Sequence, residues 1–519
     1  MSLHKLFKYF LCAFVAIILG EMSMYILGFD IGSSSIKATL LEAETGAAIV
    51  SASSPAKELD IIAPRPGWAE QQPAVWWEHV KASTARILAQ SGVDSKDIRA
   101  IGISYQMHGL VIVDRNHTVL RPSIIWCDSR AVEIGDRAFE EIGRERCLRQ
   151  FLNSPGNFTA SKLKWVKDNE PDIFGKIHKA MLPGDYIAMM MTGEIKTTPS
   201  GLSEGILWDY TSQSPADIVL DYYGIPADMI ADTVPTFSVQ GEMTNKAAAE
   251  LGLNPGTVIA YRAGDQPNNA LSLNVLNPGE IAATAGTSGV VYGVTDRAAF
   301  DPQSRVNPFV HVTHTKEQPR YGVLLCINGT GILNSWLKHT VMGGDSYNAM
   351  NELAAQAQPG SDGLLILPYG NGAERTLANN DIGASFHGLR FTTHKRSHYL
   401  RVAQEGIVYA LNYGIEITRD MGVKVEKVRA GHANMFLSPL FREVFANVTG
   451  AVVELYNTDG SQGAARGAGI GAGIYSTPED AFRGLKAAGT VEPHKDLSAQ
   501  YHELYQTWRS LLEKQLDRR

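Results

Sequence analysis

Thiols are scarce in this chain. Its 519 residues include only four cysteines, Cys12, Cys127, Cys147 and Cys326, and no two are spaced as a redox or zinc pair. That excludes a disulfide scaffold and fits a reducing cytoplasm. An excess of positive charge is also missing. Lysine and arginine total 47 against 54 aspartates and glutamates, a net charge of −7. This argues against nucleic acid or an anionic membrane as the main partner. No low-complexity tract interrupts the chain. The one long apolar run lies at the very start: residues 4–20 combine a basic beginning with an apolar core, as a signal peptide does, and are too short for a confident membrane span.

Glycine, in contrast, is plentiful, with 49 residues. Two glycine- and hydroxyl-rich turns lie between apolar strands about half the chain apart. The first is Asp30-Ile31-Gly32-Ser33-Ser34-Ser35, the second Ala285-Gly286-Thr287-Ser288-Gly289. Such turns let backbone N–H groups and hydroxyls approach a phosphate closely. A single copy is most often just an ordinary hairpin. One copy in each half points to two lobes gripping one polyphosphate. Asp30 follows an apolar strand at the mouth of the first turn, where a metal-bound phosphate would lie.

At this length two large domains are expected. Residues 25–53 read as three strands with turns at Gly32 and Thr45-Gly46. Pro73–Gln90 reads as a helix ended by Gly92, with Trp77, Val80, Thr84, Ile87 and Leu88 on one face. Strands follow at Ile98–Ser104, Leu110–Asp114 and Ser123–Trp126. Strands and helices alternate to about residue 270, which makes the first half an α/β lobe. The second half starts near Leu276. It carries the second turn, helices near Gly331–Met342 and Ser397–Met421, a loop at Pro368–Thr376 and a strand at Val425–Ala430. A glycine- and alanine-rich helix near Gln462–Tyr475 follows, then a loose link over 476–497 and an amphipathic C-terminal helix.

Several residues are candidates for chemistry. Asp265 follows an apolar strand and opens a helix, so it reads either as a catalytic base facing a cleft or as a helix cap. Phosphoryl transfer asks for an oriented hydroxyl, a proton acceptor and charge neutralisation, and little more. Gln106-Met107-His108-Gly109 is a polar loop after a strand. Trp126, Asp128 and Arg130 alternate at a strand end, which would aim all three to one side. They fit either a polyol grip or an ion pair beside a buried tryptophan. Thr159 or Ser161 would cap an amphipathic helix.

Together these segments resemble the FGGY family of carbohydrate kinases, and within it the xylulokinases, over essentially residues 24–490. The Gln106–Gly109 loop is similar to the family's sugar loop, and Trp126, Asp128 and Arg130 match its W-x-D-x-R segment. Thr159, Lys162, Leu163 and Trp165 fit one signature; Ala384–Leu389, His398 and Glu405 fit parts of another. The resemblance implies an α/β fold of two actin-like (ribonuclease H-like) lobes around a deep cleft. It implies ATP-dependent phosphorylation of an open-chain ketopentose, D-xylulose, with Asp265 as general base. Ribulose, fuculose, gluconate or glycerol kinases are the alternatives within the family, and a non-catalytic sugar sensor the alternative outside it. By the same resemblance Gln106, Met107, His108, Trp126, Asp128, Arg130, Asp265 and Asn268 hold the sugar, and Asp30 lies near Mg2+. Gly32, Ser33, Ser34, Lys37, Gly286, Thr287, Ser288, Gly331, Gly431, His432, Ala433 and Asn434 hold ATP. The expected layout is a sugar and base lobe over 24–274, an ATP lobe over 275–490 and a C-terminal helix over 491–519. No nucleic acid or membrane partner is expected, and a homodimer is compatible. Because ATP is cytoplasmic, residues 1–23 are expected to be an over-extended start, with Met22 or Met24 the natural one, rather than an export signal.

Overall fold

The computed structural model describes residues 23–373 and 375–518; the leader segment lies outside the described residues. Tyr25–Ile31, Ile36–Glu42 and Ala48–Ser54 form the expected antiparallel strands. Asp30 faces Lys37 across the first hairpin. Ile98–Tyr105 runs parallel to the first strand with Ser104 beside Asp30. Val258–Gly264 and then Phe237–Glu242 complete a six-stranded sheet.

Strand periodicity decides what each face of this sheet meets. Leu27, Phe29 and Ile31 pack with Trp76 and Val80 of the helix Pro73–Ser91. Ile26 packs instead with Ala464, Ala465 and Ala468 of the helix Gly460–Gly471. Gly28, on that same face, lies against the backbone of Ser461, and Gly102 against that of Ala464. The missing side chains let helix and sheet touch backbone to backbone. Asp30 comes next in this period, so its carboxyl points to the start of the same helix.

This helix was expected within the second lobe; it packs on the first sheet. Its glycine and alanine content, which carries little apolar signal, is what permits that close contact. The helical face around Pro73–Ser91 is close to expectation, although Trp76 and Ser83 are buried where neither was foreseen.

The second sheet has seven strands, in the order Asn307–Val310, Tyr321–Ile327, Gly289–Thr295, Glu280–Ala285, Lys427–Gly431, Val452–Tyr456 and Ala487–Val491. It repeats the first sheet's motif: a hairpin beside a parallel strand, with the glycine turn at the hairpin's end. One face packs under the helix Arg396–Asp420 and the C-terminal helix Lys495–Leu516. Val290, Tyr292 and Val294 on the other face pack on helices of the first half. The link over 476–497 holds the edge strand Ala487–Val491, whose short, largely exposed Ala-Ala-Gly-Thr-Val run lacks apolar alternation. Pro368 and Tyr369 end a strand, Leu365–Tyr369, rather than opening a loop. The architecture is α/β with two lobes of the expected actin-like type. No helix among the described residues is long and apolar enough to cross a membrane.

Candidate active site

Val258–Gly264 ends directly in the helix Asp265–Ser272, whose cap position is Gly264, so Asp265 is its first helical residue and not its cap. Although Asp265 keeps some solvent contact, the protein around its carboxyl desolvates it. That desolvation, then the negative charge of Asp30, pushes its pKa up to about 7, while hydrogen bonding from Gln266 pulls the other way. A carboxyl poised there takes a proton at neutral pH. Asp30 is also raised, first by desolvation; Lys37 and the hydrogen bond from Ser104 Oγ (3.0 Å to Oδ1) oppose this, and Asp459 adds to it.

Asp459 caps the Gly460–Gly471 helix by accepting from Gln462 N at 3.0 Å. A Cβ on Gly460 would lie 2.7 Å from Asp30 Oδ2, so only glycine lets the helix start this close to the carboxylate. Asp459 was missed by sequence reasoning. It stands in an Asp-Gly pair that looks like a simple turn.

Asp30 and Asp459 thus bring two carboxylates close together. The donors are hard oxygens, which suit Mg2+. No three His, Cys, Asp or Glu among the described residues close around one point. An ion held by one or two carboxylates would be completed by phosphate and water.

The Gln106–Gly109 loop lies beside Asp265. Gln106 is buried behind it, its N donating to Ile31 O (2.8 Å) and its Nε2 to Gln71 Oε1 (3.3 Å). Met107 Cγ would lie 2.6 Å from a Cβ on Gly264. His108 has φ 60° and its Nδ1 is 2.9 Å from Glu204 O. A carbonyl only accepts, so Nδ1 carries the proton and Nε2 is left as an acceptor. Burial, then the nearby Lys162 charge, lowers the His108 pKa to about 3, which keeps the ring neutral. Phe158 meets the ring edge-on at 4.7 Å between centroids, and Phe309 from the second half lies at 5.6 Å.

Lys162 was noted only as part of a signature. It is fully buried, and Nζ donates to His108 O and to Ile125 O, both at 2.9 Å. It thereby ties the His108 loop to the segment after Ile124. Burial lowers its pKa to about 7. Its helix, Thr159–Asn169, starts without a side-chain cap, so neither Thr159 nor Ser161 plays that part.

Trp126, Asp128 and Arg130 do not share a side. The strand stops at Ile124, and turns follow. Trp126 is half exposed, and its Nε1 donates to Ser33 Oγ at 3.3 Å, joining it to the first glycine turn. Asp128 is buried under the Arg130 fork and accepts from Ala69 N at 2.6 Å. Arg130 also pairs with Glu70 at 2.7 Å and lies 3.8 Å from the Trp68 ring. Both Asp128 and Arg130 are occupied within the protein. Asn268 faces the last long helix of the site, its Nδ2 donating to Gly460 O at 2.8 Å.

The first turn closes through Gly32 N donating to Ser35 O at 3.1 Å, with Ser34 and Lys37 exposed. In the second half, Thr330 Oγ1 donates to Gly286 O (3.1 Å) and Thr287 O (3.2 Å), and Gly331 N to Gly286 O (2.8 Å). These bonds hold the open turn Gly286–Ser288 against the helix Gly331–Thr340. Asn434 lies beside Gly286, and His432, Ala433 and Asn434 are exposed after the strand that ends at Gly431. The candidates thus form two groups. One surrounds Asp30, Asp265 and His108, and the other surrounds Gly286–Ser288, Gly331 and Gly431–Asn434.

Comparison with known proteins matches residues 25–272 to the FGGY family of carbohydrate kinases, N-terminal domain, and residues 281–475 to its C-terminal domain. The xylulose kinase of Escherichia coli (strain K12) is 30% identical over 93% of this chain and 96% of its own. The gluconokinase of Bacillus subtilis (strain 168) is 30% identical over 79% of this chain and 80% of its own. The crystal structure of xylulose kinase from Rhodospirillum rubrum superposes with a TM-score of 0.84 at 26% identity, covering 94% of this chain and 98% of that one.

Proposed function

This chain belongs to the FGGY family of carbohydrate kinases, and from that premise we propose that it uses ATP to phosphorylate D-xylulose at its terminal hydroxyl. The observation that carries the reading is Asp265, a carboxyl raised to about 7 at a strand–helix junction beside the His108 loop. In this mechanism Asp265 accepts the hydroxyl proton as the sugar oxygen bonds to the γ-phosphorus. The bond from that phosphorus to the β,γ-bridging oxygen breaks, and ADP leaves. His108 Nε2 accepts from a sugar hydroxyl, and the exposed Trp126 ring covers C–H faces. Gly32–Ser34 and Gly286–Ser288 offer N–H groups and hydroxyls to the phosphates, with the nucleotide in the second half along Gly431–Asn434. Asp30, near Asp459, would hold Mg2+, which when bound neutralises charge on the phosphates. ATP use and few thiols support a cytoplasmic site of action.

Gluconate is the second reading, favoured by the gluconokinase relative. An ADP-release assay over D-xylulose, ribulose, fuculose, gluconate and glycerol tests both. D-xylulose is expected to give the highest kcat/KM. A tenfold preference for another sugar would retire the D-xylulose assignment and keep the kinase.

A further inference from the structure

Glu204 ends the short helix Pro199–Glu204 and is almost wholly buried, with its side chain 2% exposed. Both of its carboxyl oxygens lack a hydrogen-bond partner among the described residues. A buried carboxyl left so is costly unless a ligand completes it. Its surroundings are those of the sugar site. Oε2 lies 3.9 Å from His108 Nδ1, too far for a hydrogen bond, while that nitrogen donates to the main-chain oxygen of Glu204 itself. The same Oε2 would be 2.8 Å from a Cβ on Gly264, the residue before Asp265, and Met107 crowds the same point. The Tyr105 hydroxyl and the His108 main-chain N–H lie close enough to this carboxyl to favour its charged form, though neither closes a hydrogen bond of good geometry.

A buried carboxyl whose oxygens are not geometrically satisfied, set between the His108 loop and Gly264, matches a polyhydroxylated ligand. We propose that Glu204 is a sugar-contacting residue that fixes specificity, its carboxyl taking a hydroxyl of the open-chain sugar near the one that Asp265 deprotonates. This rests on reading the site as a sugar pocket, not on which sugar it prefers. Burial holds the Glu204 carboxyl well above the usual carboxylate range; Tyr105 and the His108 N–H oppose this, and the negative charges of Asp265 and Asp185 add to it. As a neutral acid it both donates and accepts.

The test uses Glu204→Met, similar in length and free of the desolvation cost, against the wild type. The substrates are whichever sugar the enzyme turns over best and its monodeoxy analogues. The variant is expected to melt no lower than the wild type, because an unpartnered buried carboxyl contributes little to the fold. Its sugar KM should rise about ten- to a hundredfold with the ATP KM unchanged. One deoxy analogue that the wild type rejects should be rejected much less by the variant. Should Glu204→Met not fold, Glu204→Gln carries the same comparison with the side-chain shape kept. An unchanged sugar KM, or an equal loss for every analogue with the wild-type discrimination intact, overturns the proposal. Inactivity on D-xylulose alone touches only the choice of sugar.

Discussion

Asp265 is where a single proton matters most. Asp265→Asn is expected to lower kcat by about 10²-fold or more while sugar and ATP KM values hold, since general-base contributions are typically 10²–10⁴. A variant with near-normal turnover ends the assignment. With its pKa at about 7, the wild-type kcat/KM should fall as pH drops below about 7, because only the ionised carboxyl accepts a proton. Stability runs the other way. Between the ordinary value of 3.8 and about 7 the folded protein keeps a proton that the unfolded chain has lost. This group's contribution is therefore full below the lower value and lost as pH rises through the upper one. Asp265→Asn should raise Tm more at pH 8 than at pH 5, and equal shifts would contradict a raised Asp265. His108→Ala should raise the sugar KM, as loss of a buried hydroxyl partner typically costs about 1–3 kcal/mol. The ATP KM should barely move, and an equal effect on both substrates would take His108 out of the sugar site.

The helix Gly460–Gly471 couples fold to chemistry. Its flank contacts the backbone of Gly28 and Gly102, and its first residue abuts Asp30. Gly102→Ala would put a methyl group into the Ala464 carbonyl. Such overpacking costs about 1–3 kcal/mol, readable as a lower urea midpoint. Gly460→Ala instead presses on Asp30 Oδ2 from 2.7 Å. It should lower kcat well before it lowers Tm, and full activity in that variant would show that the Asp30 position is not critical. The Lys162 helix plays a comparable part for the His108 loop, through two main-chain carbonyls.

Three stretches connect the sheets of the whole molecule, one between Ser272 and Glu280, one between Tyr456 and Gly460 and one between Gly471 and Ala487. The first two are cross-tied: Ser272 Oγ bonds to Asp459 O at 2.7 Å and to Thr458 Oγ1 at 2.8 Å. A rotation about this pair would carry Gly286–Ser288 toward Asp30 and Asp265 and shut water out of the reacting phosphate. Small-angle scattering should show a smaller radius of gyration with sugar and an ATP analogue together. No compaction in an active preparation would mean that the cleft is preformed.

The sequence by itself determined whatever is local in period. Apolar strands on either side of Gly32 and Gly286 made the two hairpins legible. The apolar run before Asp265 placed an acid at a strand end, and Pro73 with Gly92 bounded a helix. Tertiary structure alone decided where distant segments meet. The Gly460–Gly471 helix carries a weak apolar signal because its work is close approach to another backbone. The edge strand Ala487–Val491 is defined by pairing with Val452–Tyr456, not by its own pattern. Asp128 and Arg130 were expected to face a sugar, but the chain turns after Ile124 and folds them into each other. Glu204 and Lys162 gave no sign of their place, since a charged residue looks solvent-facing until packing buries it against a loop nearly a hundred or some fifty residues away.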